Sequence, residues 1–160
     1  MMIRSASPDD AAAIAALILP EIAAGDTYAL SRDMKAAAAI AHWCGADRET
    51  FVLEAEGHLL DSYYLRANQA GGGDHVANAG YMVDPPARGR GVARVMAPDS
   101  FDRARAAGFT AMQFNFVVSS NMRAVTLWQA LGFAIVGQLA GALRHPALGP
   151  VDALVMFRSL

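Results

Sequence analysis

Cysteine and lysine are almost missing from this chain of 160 residues, where Cys44 and Lys35 are single occurrences. One cysteine excludes an internal disulfide and the cysteine-rich zinc patterns, and the four histidines are too dispersed to restore them, so no metal is expected. A reducing cytoplasm is the expected compartment. The scarcity of lysine beside abundant arginine and alanine follows genome base composition and carries no functional weight. Net charge is also lacking: 13 basic against 15 acidic residues leave −2, with no basic stripe. This gives no pull toward nucleic acid or an anionic membrane, so any anion site must be local. Long apolar runs are absent too. The longest, Ala11 to Leu19, is about half of what a membrane span needs and follows Asp9 and Asp10 rather than a basic segment. It reads as an N-terminal helix.

What is present is a core. Hydrophobic residues make up 54% of the chain and charged residues 18%, which excludes intrinsic disorder. The length suits one domain, residues 1–160. "MIRSAS" reads as a strand, followed by a helix with Ser7 as N-cap, Pro8 at its first position and Gly25 as its stop. "SRDMKAAAAIAHWCG" repeats that grammar, with Ser31 as cap and Gly45 as stop. From Thr50 the apolar period shortens, and two strands meet at Glu56-Gly57, a hairpin signal. The loop "NQAGGGD" leads to a third strand, "HVANAGYMV". A helix over about 92–107, the strand "TAMQFNFVV", a helix ending at Gly132, and two final strands joined by a loop containing Arg144, His145 and Pro146 complete the chain. The order predicts an α/β fold, a mixed sheet covered by helices.

The stretch "YMVDPPARGRGVARVM", residues 81–96, stands between a strand and a helix. Gly89 and Gly91 precede the helix start, where backbone N–H groups lack internal partners and the helix dipole is positive. Such a turn reads either as a phosphate cradle, with Arg88 and Arg90 adding charge, or as an ordinary strand-to-helix connection. A Walker loop would need Lys and Ser or Thr where Val92 and Ala93 stand. A dinucleotide fingerprint would need glycine where Arg94 stands. Pro98, inside the following helix, removes one helical bond and predicts a kink or break near Ala97.

The arrangement R-x-x-G-x-A, Arg88 to Ala93, together with "NMRAVTLWQALGF" from Asn121 to Phe133, resembles the acyl-CoA site of the GCN5-related N-acetyltransferase superfamily. The resemblance covers nearly the whole order of elements. It implies a single-domain, mostly antiparallel sheet, flanked by helices, whose central parallel strand pair splays to admit acetyl-CoA as co-substrate. It further implies that Met82 and Val83 offer backbone groups to the pantetheine arm, and that the Val83 N–H polarises the thioester carbonyl. Arg88, Gly89, Arg90, Gly91, Val92 and Ala93 would hold the pyrophosphate, Asn121 would reach a pantetheine amide, and Trp128 would line the arm. From spacing alone, Asn121 also reads as a helix cap and Trp128 as core. Many members carry tyrosine where this chain has Trp128, and an indole N–H is too weak an acid to protonate a departing thiolate.

Attack by an amine requires a base or a water path. Glu54, Asp61 and His75 are the titratable groups nearest the central strands by sequence, each equally readable as an ordinary strand or turn residue. Asn78 and Asn115 interrupt apolar strands, where an unpaired amide would be costly. They either satisfy a local irregularity or face the cleft and hold substrate or water. The pattern of Asn78, Asn115 and Asn121, with "FNFVVSSNMRAVTLWQALGF", is similar to a fungal branch that acetylates azetidine-2-carboxylate and related cyclic imino acids. That likeness implies a small amine or amino-acid-like acceptor. Tyr28, Tyr63 and Tyr64 read either as pocket walls or as tyrosines that serve only packing. Cys44 lies outside both motifs, which argues for direct attack in a ternary complex. A non-catalytic acyl-CoA-binding module is the alternative, and a homodimer is open.

Overall fold

In a computed structural model describing Met1–Leu160, the elements follow the predicted order. They are β1 (Met2–Ser5), α1 (Ala11–Ala24), α2 (Ala36–Trp43), β2 (Glu49–Ala55), β3 (His58–Ala67), β4 (Val76–Val83), α3 (Val92–Ala106), β5 (Ala111–Val118), α4 (Met122–Ala130), β6 (Ala134–His145) and β7 (Gly149–Ser159). The strands form one seven-stranded sheet in the order β1-β2-β3-β4-β5-β7-β6. Every neighbouring pair is antiparallel except β4 and β5. The expected α/β architecture, with a parallel pair inside a mostly antiparallel sheet, is therefore present. No helix is long and apolar enough to cross a membrane.

Strand alternation divides the core between the two faces of the sheet. Phe51, Leu53, Tyr63 and Phe114 pack with Met96 and Phe101 of α3 and Val125 and Trp128 of α4. Val52, Tyr64 and Met82 pack on the opposite face with Ile14, Ile18 and Ile22 of α1 and Trp43 of α2. Each fully buried aliphatic side chain contributes about 1.5–3 kcal/mol. Trp43 satisfies its indole by donating to the Ser62 hydroxyl at 2.8 Å, and Ser62 donates onward to the Phe51 carbonyl at 2.9 Å.

Three local expectations need correction. Ser31 does not cap α2: its carbonyl closes a turn with the Met34 N–H at 3.0 Å, Lys35 stays extended, and the helix starts only at Ala36. Arg144 and His145 are not loop residues, because β6 continues until they pair with Pro150 and Gly149. Helix α3 does not break at Pro98. It runs unbroken to Ala106, with Pro98 on its exposed side and the buried Met96, Ala97 and Phe101 on the other. Packing of that apolar face outweighs the lost bond.

The feature that builds the site is a failure of pairing. β4 and β5 are registered only at Val76–Ala111 and Ala77–Met112, and beyond that they part. A register irregularity between Phe114 and Val117 bends β5 away at Asn115 and Phe116.

Candidate active site

Both Asp84 and Asn68 donate to the carbonyls directly opposite, Leu60 at 2.9 Å and Val76 at 2.8 Å, which sets the alternation along the β3–β4 ladder. By that alternation the backbone of Met82 is engaged with Ser62, while those of Tyr81 and Val83 point toward the gap where β5 has departed. Of the two residues expected to offer backbone groups, Val83 thus faces the opening. Met82 also lines the gap, but its backbone is used by β3 and its side chain packs between α1 and the sheet. The exposed edge at Tyr81 is closed by Tyr28, whose hydroxyl donates to the Tyr81 carbonyl at 2.6 Å and accepts from its N–H at 3.2 Å. Burial raises the Tyr28 phenol well above its ordinary pKa, so it serves as a neutral hydrogen-bonding plug.

Gly89 and Gly91 have φ of 76° and 81°, a left-handed conformation that a side chain would strain. The turn they make leaves the N–H groups of Gly89, Gly91, Val92 and Ala93 without a backbone acceptor, whereas Arg88, Arg90 and Arg94 donate to Pro85, Ala87 and Gly91. Nothing lies within 4 Å of a Cβ placed on either glycine, so the mouth of this nest is open. A cavity of about 530 Å³ lies over it, walled by the loop and by Met122, Arg123 and Thr126 of α4. A second cavity of about 440 Å³ fills the gap between β4 and β5. Val83, Arg88, Ala93, Arg123 and Leu127 line both, so the nest and the gap form one path.

Tyr28, Tyr64, Asn78, Asn115, Asn121 and Trp128 all line the gap, which brings together the residues expected around the acceptor and the arm. Their bonds refine those expectations. Asn78 is buried, donates to the Gln113 carbonyl across the splay at 3.0 Å and accepts from Arg66 at 3.3 Å. It replaces the missing ladder at the point where the strands separate. Asn115 sits at the β5 bend, donating to the Asn68 amide oxygen at 2.6 Å and accepting from Gln113 at 2.9 Å. Thus the "NQAGGGD" segment is a hairpin connection whose first residue braces the site. Asn121 caps α4, accepting from the Ala124 N–H at 3.3 Å. Trp128 is both core and wall, with ring centroids 4.7 Å from Phe114 and 4.9 Å from Tyr81.

None of the three titratable candidates from the sequence reaches the cavity. Glu54 is held by Arg4, which also clamps Asp10 through two bonds of 2.8 Å. His75 precedes β4 at the exposed end of the sheet. Asp61 is fully buried, with no group at hydrogen-bond geometry to its carboxyl oxygens. Burial pushes it well above the usual carboxylate range, offset only by the Ser62 N–H. The acid that does line the gap is Glu21, in the last turn of α1, joined by Arg66 and Arg123. Nothing in the local sequence distinguishes Glu21 from any exposed helical acid. Only the docking of α1 across β4 brings it to the cleft.

The family model described as "Acetyltransferase (GNAT) family" matches residues 19–133. Over 111 residues the chain is 32% identical to N-acetyltransferase aca1 of Schizosaccharomyces pombe (strain 972 / ATCC 24843). The match takes in 68% of this chain and 53% of the relative, so the chain spans about half the length of the curated protein it matches. A GCN5-related N-acetyltransferase from Kribbella flavida superposes with a TM-score of 0.93 at 40% identity, covering 99% of this chain and 97% of that one. A phosphinothricin acetyltransferase from Sinorhizobium meliloti, solved with acetyl-CoA, shares the fold at a TM-score of 0.85 and 20% identity, over 99% of this chain and 88% of its own.

Proposed function

The chain belongs to the acetyltransferase (GNAT) family, and from that premise we propose that it transfers an acetyl group from acetyl-CoA to a small amine of amino-acid type. The observation that carries this reading is the continuity between the nest of four free N–H groups and the gap at Val83. The nest and the positive end of α3 suit a pyrophosphate, with Arg88, Arg94 and Arg123 of the cavity wall supplying charge, whereas Arg90 lines neither cavity. The arm would lie against Trp128 and α4 and bring the thioester to the gap. There the Val83 N–H donates to the carbonyl oxygen as it gains charge, an interaction worth about 2.7–4 kcal/mol in comparable sites.

The neutral amine attacks the thioester carbon, and the tetrahedral adduct collapses by breaking the C–S bond. The amine nitrogen loses one proton, and the departing thiolate takes one up from solvent. Products are the N-acetyl compound and free CoA. Trp128 cannot supply that proton, but a thiolate leaves near neutral pH without an acid. On the acceptor side, the Arg66 guanidinium, paired with the exposed Asp47 only at 3.5 Å, and the amides of Asn78 and Asn115 suit a carboxylate, which favours amino and cyclic imino acids over polyamines. The resemblance of the asparagine pattern to fungal enzymes of cyclic imino acids supports the same class.

Thiol release from acetyl-CoA tests the reading, using amino acids, azetidine-2-carboxylate, polyamines, aminoglycosides and peptide N-termini. Turnover with a carboxylate-bearing amine is the expected result. Cofactor binding without turnover of any amine would overturn it in favour of a non-catalytic acyl-CoA-binding module.

A further inference from the structure

Arg88 and Glu21 form an ion pair across the cavity. Arg88 belongs to the loop that makes the nest and lines both cavities, whereas Glu21 belongs to α1 and lines only the gap. Glu21 is the single acidic side chain in the gap wall, pairs with no other cation, and is only 16% exposed. Its position is unfavourable for the helix, since a negative charge in the last turn opposes the dipole. A role in helix stability therefore does not explain it. The one cation that neutralises this acid is also the residue that a pyrophosphate would claim.

Resting on the acetyl-transfer reading, we propose that Glu21 is the binding site for the acceptor's ammonium group, and that acetyl-CoA uncovers it by drawing Arg88 onto its pyrophosphate. In the free protein Arg88 masks Glu21, so a cationic acceptor meets a carboxylate already paired. When the pyrophosphate takes Arg88, the mostly covered Glu21 carboxylate is left without a counter-ion beside Tyr28 and the Val83 end of β4. An ammonium group restores the balance, and it releases one proton to solvent before it attacks as the neutral amine. Cofactor then precedes acceptor, and each strengthens the other because both compete with the same ion pair. No covalent bond changes in this exchange. The acceptor is recognised at both ends, its ammonium by Glu21 and its carboxylate by Arg66.

Glu21→Gln separates the possibilities, and because it removes a charge that opposes the α1 dipole it is not expected to impair folding. Calorimetry with acetyl-CoA should show the variant binding roughly two- to fivefold more tightly than the parent, since Arg88 no longer has to leave a partner. With whichever amine of the panel turns over, its acceptor KM should rise at least about fivefold with a smaller change in kcat, and Glu21→Asp should restore part of that loss. Parent protein that binds acetyl-CoA while the variant binds it equally or less well overturns the masking. An unchanged acceptor KM overturns the ammonium site. Failure of the parent to bind acetyl-CoA at millimolar concentration overturns the acetyl-transfer reading itself, and this inference with it.

Discussion

Two buried polar side chains, Asp61 and Asn78, show how differently single residues are accommodated in this sheet. Asn78 is satisfied on both sides, and its amide stands in for the ladder bond that β4 and β5 no longer make. Asn78→Ala should lower stability by about 1–3 kcal/mol in urea titrations without any ligand, because the Gln113 carbonyl loses its donor. Unchanged stability would show that the bridge is not what holds the splay. Asp61 is the reverse case, buried and without a partner. Its folded pKa lies above the unfolded value of 3.8. Below that value the carboxyl is neutral in both states and has no effect. Above it the unfolded chain ionises first, so folding takes up a proton and stability falls as pH rises, by about 1.4 kcal/mol per unit until the folded carboxyl ionises. The stability of Asp61→Asn relative to the parent should therefore grow as pH rises above 3.8, until the folded carboxyl ionises. A difference constant over that range would sink the assignment. Both residues were visible in the sequence, Asn78 as a polar interruption of an apolar strand and Asp61 as a titratable group near the central strands. Which one is bonded and which is stranded depends on partners about 12 to 35 positions away, and periodicity carries no information on those.

Among the elements, α3 carries the most conflict between local preference and tertiary demand. Its first turn holds the nest, and its middle contains Pro98, which cannot bond the Arg94 carbonyl. The helix persists because Val92, Met96, Ala97, Phe101 and Ala104 are buried along one face. Pro98→Ala, on the exposed side, should restore that bond and raise stability by about 1–3 kcal/mol, read as an increased thermal midpoint. A lower midpoint would mean that the proline's constraint on the unfolded chain outweighs the bond. A sequence-based reading overestimates such prolines because it sees the missing donor and not the buried face. The short α2 shows the same limit. Ser31 offered a cap, yet the chain turns at Ser31–Met34 and delays the helix to Ala36, where Ala39 and Trp43 can reach the core.

For the molecule as a whole, the splayed sheet is an incomplete structure that a ligand can complete. Between Ala77 and Val83 the gap side of β4 lacks a strand partner, and only Tyr28 and Asn78 bridge part of it. Acetyl-CoA at about 100 times its dissociation constant should stabilise the fold by about 2.7 kcal/mol, a rise in thermal midpoint of roughly 5 to 11 °C for a chain of this size. Absence of any shift with saturating acetyl-CoA would contradict the proposed site. By itself the sequence determined the order of elements, the glycine turn at Gly89 and Gly91 and the helix cap at Asn121. Each of these rests on residues a few positions apart, whose backbone preferences and apolar spacing act locally. Only the tertiary structure decided where β4 and β5 part, that Met82 turns its backbone away while Val83 presents its own, and that Glu21 meets Arg88 across the cleft. Those outcomes depend on strand register and on α1 docking over the sheet. Register and docking are set by the summed burial of many distant side chains, which no short stretch of sequence encodes.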